Sequence, residues 1–266
     1  MGKFSRRALL AAAAGCLATP RGASASSLTW VDQRQYGPFQ VRSTFPLDSC
    51  SGVLQELPAL ELELRRVLAL SPCEEPIDIE VLSSKRQHRD YLKNRFPNTP
   101  YRRALFVKLG GQATVFAYRD EELGVDLRHE CTHALLHADL AMVPLWLDEG
   151  LAEYFEMPKA DRAFGNPHEK LLQWDMRFGL VESLASLEAK RDLSQMNSGD
   201  YRSAWAWTHF MLHGPQAASQ QLWSFLAAIR RGEPPGSLSE RLEAVLPGVE
   251  RQLARHFQKW TRMARQ

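Results

Sequence analysis

Residues 129–133 read His129-Glu130-Cys131-Thr132-His133, and residues 144–155 read Pro-Leu-Trp-Leu-Asp-Glu-Gly-Leu-Ala-Glu-Tyr-Phe. Both stretches lie in a region whose apolar residues recur at helical spacing, so the pattern predicts two consecutive helices. Positions four apart on a helix stack on one face about 6 Å apart, so His129 and His133 can reach one metal ion. Glu130 sits beside that face. A tetrahedral catalytic zinc needs a third protein ligand and an open position for water, and the second helix supplies acids for it. Glu149 is the natural candidate. Glu153, one turn on, is placed to hydrogen-bond a ligating imidazole and hold its tautomer. Gly150 is expected to let these two helices approach closely.

Geometry weighs the competing ligands. His137 continues the run at a third i+4 position, but it lies about 12 Å along the helix axis from His129, too far to share its metal. Leu135 and Leu136 stand where a metzincin needs a chain-turning glycine. Cys131 is two residues from each histidine, so it points about 200° around the helix and reads as a core thiol.

Working toward the N terminus, the pattern is mixed. Residues 39–44 alternate like a strand, and residues 53–70 place Leu54, Leu57, Leu60, Leu64, Val67 and Leu68 at helical spacing. Strands are predicted over 77–82, 104–109 and 113–118, with a short helix over 87–94, and Gly110-Gly111 reads as a hairpin connection. From residue 125 the pattern is helical almost to the C terminus, broken by prolines and glycines. The expected fold class is α+β: an N-terminal mixed sheet with helices that include the His129–His133 helix, followed by an all-helical C-terminal lobe. The expected division is 26–140 for the first lobe and 141–266 for the second, with the site at their junction.

The HExxH pattern followed by Trp-Leu-Asp-Glu-Gly-Leu-Ala-Glu-Tyr resembles the gluzincin metallopeptidases, and within them the bacterial peptidase MA-like group. The likeness is specific over residues 104–155, where the family also has a strand pair just before its zinc helix. It implies a zincin-like fold and one zinc ion held by His129, His133 and Glu149. The 15 residues between His133 and Glu149 are fewer than in the aminopeptidases of the clan and acceptable for the MA-like group. No Gly-x-Met-Glu-Asn stretch precedes the motif, so recognition of a substrate amino terminus in the aminopeptidase manner is not implied.

A metal ion of this kind lowers the pKa of a bound water to about 7, and Glu130 is placed to take its proton and pass it to a departing amine. Metal-assisted hydrolysis of a peptide bond, with a peptide or protein as substrate, is the reading. The oxyanion that develops needs a donor. Tyr201 leads, on a helical stretch where Tyr201, Ala204, Trp205, Thr208 and Leu212 share a face; the family likeness also suggests a tyrosine there. His209 and Tyr154 are alternatives. Residues 113–118 are expected to form an edge strand that pairs an extended substrate. Two other readings stay open: a zinc hydrolase acting on a cell-wall amide, and a zinc-bearing envelope scaffold without turnover. The amphipathic stretch over residues 249–263, with Leu253, Phe257 and Trp260, reads as a helix that packs inside its lobe.

Composition narrows partners and compartment. Of 33 Lys and Arg residues, Lys3, Arg6, Arg7 and Arg21 fall in the first 25 residues, leaving 29 bases against 31 acids. Such a balance lacks the concentrated basic face a nucleic acid requires. Residues 1–25 have the charged, apolar and small-residue parts of an export signal, with cleavage expected after Ala25. Ser5-Arg6-Arg7-Ala8-Leu9-Leu10 resembles the twin-arginine form, a general secretion signal being the alternative, and Cys16 offers a lipoprotein site as a minor alternative. The apolar run of 8–18 is shorter than the roughly 20 residues a membrane span needs. The protein is therefore expected in the periplasm or outside the cell. Cys50 and Cys73 flank a helix and are candidates for a bridge in an oxidising compartment.

Overall fold

A computed structural model describes residues 28–263, with side chains to residue 260. The expected export signal and Cys16 lie outside the described residues. The chain is α+β, with one mixed five-stranded sheet and ten α-helices among the described residues. It divides into two compact units, one of Met1–Glu61 with Cys73–Ala134 and one of Leu62–Pro72 with Leu135–Gln266. No helix among the described residues is long and apolar enough to cross a membrane.

The first unit holds the sheet. Its strands are β1 (Asp32–Tyr36), β2 (Phe39–Ser43), β3 (Ile77–Leu82), β4 (Leu105–Leu109) and β5 (Gln112–Tyr118). Their order is β1-β2-β3-β5-β4, with β3 parallel to both β2 and β5 and the two outer pairs antiparallel. The expected strands appear at the expected places, and β1 is added. The β4–β5 hairpin turns through Gly110 and Gly111 at φ of 57° and 92°, a region a side chain would strain. This topology corrects the expectation for residues 113–118. β5 is an interior strand, hydrogen-bonded on both sides, and the outer edge belongs to β4. The reason is that β3 and β5 are both nearly continuous buried runs, as strands covered on both faces must be.

Helix α1 (Ser51–Leu68) follows β2, and α2 (Lys85–Arg95) lies on β3 and β5. Ser84 caps α2 by accepting from the Gln87 N–H. Leu92, Leu105, Val107 and Phe116 form a core cluster beneath it. Cys50 and Cys73 are free and unbridged; each thiol donates to a nearby carbonyl, of Leu47 and Glu75 respectively.

Helix α3 (Leu123–Asp139) carries the boundary between the units just after Ala134. The second unit continues with α4 (Leu145–Phe155), α5 (His168–Phe178), α6 (Leu184–Ala189), α7 (Ser198–His213), α8 (Gln216–Arg230), α9 (Leu238–Val245) and α10 (Val249–Met263). At its centre α4 packs along α7, and α4 is buried from Trp146 to Phe155. Asn197 and Asp200 form a reciprocal capping box at the start of α7. As expected, α10 is a packing helix: Leu253 and Phe257 are buried, and the Trp260 indole N–H donates to the Ala163 carbonyl.

Candidate metal centre

The first half of α3 is anchored within the first unit by charge. The Arg103 guanidinium donates to Asp126 at 2.7 Å and also pairs with Asp120, clamping the turn that leads into the helix. Arg128 donates to Glu56 on α1 at 2.9 Å. Asp120 is thus part of the support of the helix. His129 and His133 are both buried, with ring centroids 4.9 Å apart and planes at 76°. The i, i+4 spacing does this directly.

Glu130 is buried beside them, and its Oε2 accepts the Phe106 backbone N–H at 2.8 Å. Burial pushes this carboxyl above its ordinary range, against the opposing pull of His129, His133 and the Phe106 amide. Phe106 lies on β4, so the outermost strand of the sheet reaches the candidate base through its own backbone. Cys131 is fully buried, and burial, with Glu130 nearby, pushes its thiol well up. That suits a core thiol and not a ligand.

On α4, Asp148, Glu149 and Glu153 are buried. His137, in the last turn of α3, sits 3.2 Å from Asp148 Oδ2, so its ring tethers the start of α4. Gly150 does permit a close approach, but the partner is α7. A Cβ at Gly150 would stand 2.6 Å from the Ala204 carbonyl oxygen and 2.5 Å from Thr208 Oγ1. The expectation that Gly150 serves packing against the histidine helix is corrected: α4 meets α7 along the Gly150 face.

Glu153 accepts from His168 Nε2 at 2.8 Å, at the start of α5. Burial pulls this imidazole down, and the Glu153 carboxylate outweighs burial, leaving its pKa above the ordinary histidine value. Sequence reasoning missed His168. Its only signal is a position just after Pro167, which opens a helix and says nothing about a partner fifteen residues back.

These groups include two constellations that could hold a metal ion. One ligand atom each from His129, His133 and Glu149 lie within 4.8 Å of one another, and the same holds for His129, Glu153 and Glu156. The first set offers two imidazoles and a carboxylate, the donors zinc takes in hydrolytic sites. In the second, Glu153 is already engaged by His168, which leaves it better suited to a supporting role. Glu156 was not anticipated.

Tyr201 is buried in the first turns of α7, on the stripe that holds Ala204 and Thr208. The two alternative oxyanion donors are committed elsewhere in the second unit. Tyr154 shares a hydrogen bond of 2.7 Å with His213, and burial raises its phenol to about 12. His209 has Nδ1 at 3.0 Å from His256 and Nε2 at 3.1 Å from the Ala163 carbonyl.

The chain matches no protein-family model and no curated protein.

Proposed function

We propose that this chain is an exported, zinc-dependent peptidase of gluzincin type with a zincin-like fold, in which His129, His133 and Glu149 hold the metal and Glu130 is the general base. The observation that carries the reading is the approach of two imidazoles and a carboxylate to within 4.8 Å, beside a buried glutamate. When bound, zinc supplies a Lewis acid and a water acidified to a pKa of about 7.

The remaining work falls to the chain itself. Glu130, in a low-dielectric setting, takes the proton of the attacking water and delivers it to the departing amine. The Phe106 N–H orients that carboxylate through Oε2, which leaves Oε1 for proton transfer. Glu153, which His168 engages through Oε2 and which falls within 4.8 Å of His129, is assigned the supporting role of fixing the tautomer of that imidazole. Tyr201 donates its hydroxyl to the oxyanion that develops on the attacked carbonyl. An extended substrate would lie along β4, whose outer edge adjoins Glu130.

Glu130→Gln tests the assignment. Zinc content, measured by elemental analysis, should match the parent, while hydrolysis of an unfolded protein substrate falls about a thousandfold. Unchanged hydrolysis in the variant would remove the base role, and absence of zinc from the parent would remove the site. Release of amines from peptidoglycan and not from protein would redirect the reading to a cell-wall amide.

A further inference from the structure

Two helices of the second unit are strongly amphipathic in different ways. In α10 the apolar face is buried against α7 and the loop around Ala163. In α5 it is not. Leu171, Trp174 and Phe178 are 55%, 59% and 59% exposed, and Leu180, just past the helix, is 63% exposed. At about 100° per residue, the three helical positions fall within roughly 60° of one another. They form a single ridge.

The ridge has an ordered surface. The Trp174 and Phe178 rings stack at 5.6 Å with planes 11° apart. Leu172, on the inner face, is the residue of α5 that is buried. Lys170 and Arg177 lie along one border of the ridge, and neither makes an ion pair among the described residues. Asp175, two residues before Arg177, is already paired with Arg202, and Glu169, next to Lys170 in sequence, falls about 100° further round the helix, away from the ridge. The border is therefore net positive.

Shape selects among possible occupants. A peptide in extended form must satisfy its own N–H and C=O groups, which calls for a sheet edge or a groove lined with donors and acceptors. A convex helical ridge offers neither. A second copy would need an interface of about 1,000 Å² or more, well beyond what four side chains cover. The boundary between headgroups and acyl chains makes no hydrogen-bond demand on a ridge. It accepts Trp, Phe and Leu side chains while its phosphates accept Lys and Arg. We propose that α5 is the surface by which this protein rests on an anionic lipid bilayer, with Leu171, Trp174, Phe178 and Leu180 at the headgroup boundary and Lys170 and Arg177 against the phosphates. This contact lies on the membrane surface and spans nothing.

The test is flotation of the full chain with vesicles of equal parts phosphatidylglycerol and phosphatidylcholine, and with phosphatidylcholine alone. Trp174→Ser with Phe178→Ser should lower partitioning onto the anionic vesicles about tenfold. Lys170→Glu with Arg177→Glu should lower it on anionic vesicles and leave binding to phosphatidylcholine unchanged. Every protein carries the same N-terminal segment, so any contribution from it cancels in the comparison. Circular dichroism should be unaltered, because all four positions are exposed. The proposal is overturned if the parent stays with the unbound fraction, or if the apolar pair can be replaced without loss. It is also overturned if that replacement instead turns a dimeric parent into a monomer, which would make the ridge a contact between copies.

Discussion

Gly150 occupies the closest approach of α4 to α7, where the opposing atoms are a main-chain carbonyl and a buried hydroxyl. Neither can swing aside as the tip of a long side chain would. Gly150→Ala gains about 1 kcal/mol of intrinsic helix preference, and forcing a methyl into packed backbone costs about 3 kcal/mol. The collision wins, and we expect a net loss of about 2 kcal/mol, read as a lower midpoint in urea denaturation at unchanged slope. A midpoint that rises would show that the helices separate easily. The same residue shows what a sequence can and cannot say. The chemistry of Gly150, a site for close approach, was legible, but its partner was not, because spacing along a helix names a face and not the element that meets it. Glu149 and Glu153 were legible as acids of a single helix, but the imidazole found on Glu153 is His168 of α5, where a ligating histidine was expected. His168 required a contact between residues fifteen apart in different helices, and nothing local encodes that.

At the scale of elements, the docking of α10 on α7 rests on histidines held neutral. His209 and His256 meet at 3.0 Å, and the rings of His209 and His213 lie 4.6 Å apart. Burial is the largest cause in all three: it lowers His209 well below the ordinary value, His256 to about 4, and His213 less far. Proton binding is thus weaker in the fold than in the unfolded chain. The stability that α10 draws from this cluster is complete above about pH 6.5 and falls as pH drops from there toward 4. For the partly accessible His256 the loss, after allowance for solvent screening, is about 2 kcal/mol. We expect the denaturation midpoint to fall across that window, and His256→Phe to flatten part of the slope relative to the parent. A parallel slope in both proteins would show that the cluster plays no part.

Most elements were legible because their apolar periodicity is strong: β3 and the β4–β5 hairpin appear where alternation and the glycine pair put them. β1 was not, since Asp-Gln-Arg-Gln-Tyr alternates only between half-buried and exposed polar residues. It is held by its ladder to β2. The order of strands was also beyond reach, so β5 looked like an edge when it is flanked on both sides.

For the whole molecule, the expected division at residue 140 and the observed one differ in an instructive way. The boundary falls inside α3, and residues 62–72 belong with the helices although they follow the first strands in sequence. Specific contacts hold them there. Arg162, almost fully buried, donates to Glu63 at 2.6 Å, and Trp223 donates its indole N–H to the Val67 carbonyl at 2.8 Å. Removing one partner of a buried pair costs about 3–5 kcal/mol. A fragment of residues 135–266 should therefore lack the sharp thermal transition of the full chain and regain it, at least in part, when a peptide of residues 58–74 is added in excess. A sharp transition in the fragment alone would mean that the inserted segment is dispensable.

That insertion also sets an order of events during translation. Leu64, Leu68 and Leu70 leave the ribosome long before the helices that will enclose them have been made, though all three are buried once the protein is finished. In the interval they are sticky, unsheltered side chains on a growing chain, which is the kind of surface that holding chaperones grip and that aggregation exploits.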